Sequence, residues 1–102
     1  MLIELFYFDG CPSYQEALEN LKAALVIERL QAEIRLVCVA DDAEATRLKF
    51  LGSPSFRVDG VDLWPEERKR YNLNCRVFIT PDGITSTPTV EMFQEQLRRL
   101  DS

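Results

Sequence analysis

The sequence predicts an α/β domain: a mixed sheet of four to five strands with helices on both faces. Three observations predict it. An aromatic-rich apolar run at 2–8 is followed by a long amphipathic stretch and then a second apolar run at 34–39. An Asp59-Gly60 pair separates two strand-like segments, and another amphipathic stretch closes the chain at 88–100. Two strands joined by a helix pair in parallel through a right-handed crossover, whereas a two-residue Asp-Gly turn makes an antiparallel hairpin. The two connections together require a mixed sheet.

Each element has its own justification. Residues 2–8 are nearly continuous in apolar and aromatic side chains, as in a central strand covered on both faces. The first helix is expected over 12–31, with Pro12 at its first position, where a missing N–H costs nothing. Tyr14, Leu18, Leu21 and Leu25 fall on one helical arc. Val26, Ile27 and Leu30 lie off that arc, marking either a change of packing side or an exposed patch. Residues 34–39 form the second strand, where Cys38 alternates with Ile34 and Leu36 and is expected in the core as a small hydrophobe.

A short helix near 42–51 has Asp41 or Asp42 as its cap, Glu44 in capping-box position and Gly52 as its stop. Residues 56–58 and 61–64 flank the Asp59-Gly60 turn, and Pro65 ends the hairpin. The polar stretch 65–74 reads as a loop, and 76–79 as a further short strand that could extend the sheet beside the fourth. The last helix begins with Thr87 as cap and Pro88 next, burying Val90, Phe93, Leu97 and Leu100.

Composition bounds the chemistry. The chain has 102 residues, 46% hydrophobic and 28% charged, consistent with one globular domain over 1–102. No apolar stretch approaches the roughly 20 residues of a membrane span, and no basic leader precedes the first strand. The expected location is cytoplasmic, with no membrane partner. A net charge of −5 argues against a nucleic-acid partner. The Arg68-Lys69-Arg70 cluster directly follows Glu66-Glu67 and reads as a solvated loop.

Three widely spaced cysteines, Cys11, Cys38 and Cys75, in a chain without histidine narrow it further. The spacing is no secreted disulfide framework, and close Cys/His ligand pairs for zinc are absent from the sequence. Without histidine there is no Cys–His nucleophile pair and no serine triad. What remains is a thiol activated by backbone and burial. Cys11 stands where a strand ends and a helix begins, so free N–H groups and the helix dipole favour its thiolate. Asp9, two residues earlier, would oppose this if its charge lay close. The plainer reading of Cys11 is a structural cysteine.

These residues resemble the thioredoxin fold. Cys11-Pro12-Ser13-Tyr14 stands where that family has its C-x-x-C motif, Gly52-Ser53-Pro54-Ser55 at its cis-proline loop, and Asp59-Gly60 at its hairpin. The likeness covers 2–64 and the terminal helix and leaves out 65–86, an inserted loop and strand. More closely, the chain is similar to small bacterial thioredoxin-like proteins with G-C-P-x-[CY] after the first strand and a late C-R-[LV]-[YF]. Some of these are named alkylmercury lyase-like, a naming habit that says nothing of the reaction.

The resemblance implies strand order 2-1-3-4, a cis Ser53–Pro54 bond, and Ser53 backbone open to an extended substrate beside Cys11. One departure governs the chemistry: Tyr14 replaces the second motif cysteine, so no disulfide can form inside the motif. A monothiol, glutathione-linked redox role through Cys11 follows, with glutathione or a thiol- or disulfide-containing protein as partner and no other cofactor or resident metal. Cys75 is a candidate resolving thiol. Pro12, Tyr14, Ser53, Pro54 and Trp64 are candidate substrate-binding residues, although Tyr14 also continues the buried stripe.

Whether Cys75 reaches Cys11 depends on the topology. If 61–64 runs back as a tight hairpin, the loop 65–74 and Cys75 lie at the active-site end. If 76–79 is itself the fourth strand, Cys75 starts at the far end. The competing function is a binding module that kept the fold and lost turnover, holding a protein partner or a soft metal such as mercury on its thiolates.

Overall fold

The computed structural model describes residues 1–101. Strand β1 (Leu2–Tyr7) sends its side chains into two apolar layers. Ile3 and Leu5 are fully buried on one face, with Phe6 buried on the other. Helix α1 (Ser13–Ile27) carries the chain to β2 (Glu33–Cys38), which pairs with β1 in parallel. Strand β3 (Ser55–Val58) pairs antiparallel with the other side of β1, and β4 (Val61–Asp62) pairs antiparallel with β3. The result is a four-stranded mixed sheet in order β2-β1-β3-β4. Asp59 and Gly60 both take positive φ, 50° and 91°, which a tight primed turn requires.

Helix α2 (Asp42–Leu48) covers one face, its Ala45 packed with Phe6, Val39 and Phe50. Helix α3 (Val90–Asp101) lies with α1 on the other, where Phe93 and Leu97 join Leu21, Leu25, Ile3, Leu5 and Phe56. Glu28 clasps the two helices, accepting from Gln94 at 2.9 Å and from Arg98 at 2.8 Å.

Several element bounds differ from expectation, each for a local reason. Helix α1 stops at Ile27 rather than 31 because Arg29 turns left-handed (φ 56°). Leu30 N–H then reaches Leu25 O and Arg29 N–H reaches Val26 O, the paired bonds of a Schellman closure. The off-arc residues are thereby decided: Val26 and Ile27 are exposed, and Leu30 packs against the core. Helix α2 closes the same way through Lys49 (φ 55°), with Phe50 N–H on Ala45 O, so Gly52 is free for another use. Thr89, not Thr87, caps α3, its Oγ1 accepting from Met92 N–H at 3.1 Å. Leu100 is half exposed rather than part of the buried stripe.

Two larger corrections concern β2 and the late strand. Cys38 is exposed, as is Leu36 beside it. β2 is the sheet's edge, and the apolar layer that receives Ile34 does not extend over these two residues. The late strand does not extend the main sheet. β5 (Phe78–Thr80) instead pairs with β6 (Gly83–Thr85) in a separate hairpin.

Candidate thiol site

Between β1 and α1 the chain makes one tight turn, in which Cys11 N–H donates to Phe8 O at 3.1 Å. Pro12 is the N-cap residue of α1, one place earlier than expected, with no side-chain cap of its own. Ser13, the first helical residue, shares a hydrogen bond of 2.6 Å with Ser86 Oγ, which ties the helix start to the segment after β6. Cys11 is thus placed just ahead of a helix of 15 residues, and its side chain is fully buried.

The second wall of the site is the loop before β3. The Ser53–Pro54 peptide bond is cis. Ser53 N–H donates to Asn74 O at 2.8 Å, and Arg76 N–H donates to Ser53 O at 2.9 Å, so Ser53 and Cys75 form a parallel bridge. Gly52 makes this approach possible. Its φ is +113°, and a Cβ there would lie 2.5 Å from Asn74 Oδ1 and 2.9 Å from Arg76 N. The expectation of an open Ser53 backbone is therefore corrected. The residue is fully buried, and both its backbone groups are paired with the chain's own residues 74–76.

Arg76 holds that segment in place. Its guanidinium is buried and pairs with both carboxylate oxygens of Asp62 at 3.1 Å. It also donates to Ser55 Oγ at 3.3 Å and to Trp64 O, and stands over the Phe78 ring at 5.1 Å. Burial pushes the Asp62 carboxyl up, against the pull of Arg76 and the Trp64 N–H. A charge pair this deep costs much to desolvate, and breaking one partner leaves the other stranded. Sequence patterning does not single out Arg76, Asp62 or Asn74, and it explains Gly52 only as a helix stop. The available signals are the late C-R-[LV]-[YF] likeness, which falls on Cys75-Arg76-Val77-Phe78, and the place of Arg76 beside an apolar run, where a charged residue reads by default as facing water.

With residues 74–76 seated on Ser53, Cys75 Sγ comes to 2.9 Å from Cys11 Sγ, both sulfurs being free. This is the tight-hairpin alternative. The two differ in access: Cys11 is buried and Cys75 exposed. They also differ in acidity. Burial, the largest influence on Cys11, pushes its thiol up. The hydrogen bond from Cys75, the Ser13 backbone and the nearby Ser53 and Ser13 side chains together outweigh it, leaving Cys11 below its ordinary range. Ser53 Oγ is buried beside this site with no hydrogen-bond partner of normal geometry. Cys75 moves the opposite way, first because its S–H is donated to Cys11, then through desolvation and the nearby Cys11 charge. The shifts run in opposite directions, so ionisation of the pair favours Cys11 while Cys75 keeps its proton more readily; when protonated, Cys11 Sγ donates to Ser53 O at 3.5 Å.

The remaining predicted residues divide. Tyr14 is half-buried and stacked on Tyr7 with centroids 4.2 Å apart, a packing role against the α1 face. Trp64 packs edge-on against Phe93, Phe78 and Phe56, at 5.3–6.3 Å, so its ring belongs to the core cluster. Cys38 stands apart, with Asp9 Oδ1 3.8 Å from its sulfur. Among the described residues no group of three or more metal-ligating side chains is present, and no helix is long and apolar enough to cross a membrane.

No family model, curated protein or solved structure matches this chain.

Proposed function

We propose that this is a thioredoxin-like thiol–disulfide redox protein whose working dithiol is Cys11 with Cys75. The supporting observation is the 2.9 Å approach of the two sulfurs across the cis-proline loop. The motif's missing second cysteine, replaced by Tyr14, is made good from a segment 64 residues away. The pair has the acidity difference that disulfide exchange uses: Cys11 is shifted down, which favours it as leaving group, and Cys75 is shifted up. Glutathione or a thiol-bearing protein is the partner class.

The test is oxidation by glutathione disulfide followed by non-reducing peptide mass mapping. A Cys11–Cys75 cross-linked peptide pair is expected, reversible by excess reduced glutathione and absent from Cys11→Ser and Cys75→Ser. If both thiols stay free, or if Cys38 supplies the partner, the redox reading fails and the non-catalytic binding module takes its place.

A further inference from the structure

We infer that Cys75, not the motif cysteine Cys11, is the sulfur that meets the substrate, and that the substrate is a small disulfide rather than an extended peptide. The inference rests on the dithiol reading and assigns the two sulfurs their order. Three observations carry it. Cys11 is fully buried while Cys75 is exposed, so an incoming disulfide reaches Cys75 first. The Ser53 backbone that would pair with an extended peptide already holds Asn74 O and Arg76 N–H. That occupation is built in, by Gly52 leaving room and by the buried Arg76–Asp62 pair. Residues 74–76 therefore take up the peptide edge permanently and present their own cysteine outward.

From the singly ionised pair, with its thiolate on Cys11, the reaction then runs in two exchanges. As Cys75 attacks one sulfur of R–S–S–R, its proton passes along the 2.9 Å hydrogen bond to the Cys11 thiolate. A Cys75–S–S–R bond forms, the R–S–S–R bond breaks, and one RS⁻ leaves. Cys11 gives its proton to that RS⁻ and, again a thiolate, attacks the Cys75 sulfur. The Cys11–Cys75 bond forms and the second RS⁻ leaves. Two electrons pass from the dithiol to the substrate disulfide. In reverse, an external thiolate attacks Cys75 and expels Cys11, the better leaving group.

The experiment traps the intermediate in the full-length protein. Reduced wild-type protein is mixed with limiting glutathione disulfide, quenched in acid at short times and mapped by peptide mass. Glutathione is expected on Cys75 before the Cys11–Cys75 bond appears. Cys11→Ser should accumulate glutathionyl-Cys75. Cys75→Val, which keeps Cys11 covered, should be modified at Cys11 at least about tenfold more slowly, since a thiol without access does not exchange. Insulin disulfides should be reduced more slowly than glutathione disulfide. Glutathione found first on Cys11, or Cys75→Val modified at Cys11 as fast as the wild-type protein is modified at Cys75, overturns the order of the sulfurs while leaving the dithiol intact. Insulin reacting faster than glutathione disulfide overturns the substrate class. If Cys75 takes glutathione but no Cys11–Cys75 bond follows in wild type, the dithiol reading itself fails.

Discussion

Cys11 follows β1 and Cys38 ends the neighbouring β2, yet their surroundings are opposite. Cys11 is surrounded by polar groups: Cys75, the Ser13 backbone and the Ser53 and Ser13 side chains lower its thiol despite complete burial. Cys38 faces solvent at the sheet edge with a carboxylate for company. Desolvation and then the Asp9 charge push its thiol up. Exposure and acidity are thus uncoupled here. A buried sulfur is the more acidic because fixed hydrogen-bond donors replace water, while an exposed residue's sulfur is suppressed first by desolvation and then by a like charge. Asp9, adjacent in sequence to the Cys11 turn, acts on the other cysteine.

The largest test of this contrast is Arg76→Ala. The substitution leaves the Asp62 carboxylate in a buried site without its cation, which costs about 3–5 kcal/mol. Urea unfolding should show that loss. Residues 74–76 should also lift from Ser53, so alkylation of Cys11 accelerates while Cys38 labels as before. The paired change Asp62→Leu with Arg76→Met removes both charges and should recover most of the stability. Equal acceleration at both cysteines would mean general unfolding rather than release of one segment.

Gly52→Ala probes the same seam more gently. The new methyl group would meet Arg76 N at 2.9 Å, on a backbone at φ +113°. Strain of this kind costs on the order of 1–3 kcal/mol. Here too Cys11 should gain reactivity and Cys38 should not. A stable variant with Cys11 as unreactive as in wild type would show that the seam does not depend on the missing side chain.

Much of this arrangement is legible in the amino-acid sequence. The apolar run of β1, the helical crossover and the Asp59-Gly60 turn specify parallel and antiparallel neighbours, and strand order β2-β1-β3-β4 is what the structure has. The Cys11 turn and the proline loop also stand out by their position between elements. The strand at 76–79 and the candidate thiol Cys75 are also read from the sequence, but the strand's pairing with β6 and the burial of Arg76 are not. Arg76 and Thr80 are buried, while Val77 and Ile79 are 66% and 84% exposed. Phe78 between them is buried against Trp64, so hydrophobic alternation alone does not say that Arg76 faces inward, where an ion pair holds it. Cys38 misleads for the converse reason: its alternation with Ile34 and Leu36 is real, but an edge strand is covered only part of the way along.

The smallest expected effect is also the most selective. Asp9→Asn keeps the size of the side chain and removes the charge 3.8 Å from Cys38 Sγ. In wild type the Cys38 thiol is raised, so its labelling rate should go on climbing with pH beyond the point where an ordinary thiol levels off. Cys11, lowered by its donors, should reach its plateau below that point, at a low rate set by access. Removing the Asp9 charge should bring the Cys38 plateau down towards the ordinary range. The shift will be partial, because desolvation is the larger cause and remains. At neutral pH, where little Cys38 is ionised, this appears as a several-fold faster rate at Cys38, since rate follows thiolate fraction. The Cys11 profile should not move, because Asp9 is not among the groups that set its acidity. Stopped-flow labelling with site assignment by peptide mass separates the two profiles. A Cys11 plateau that shifts with Asp9→Asn would mean one electrostatic site at this end of the sheet, and the contrast between its two cysteines would dissolve.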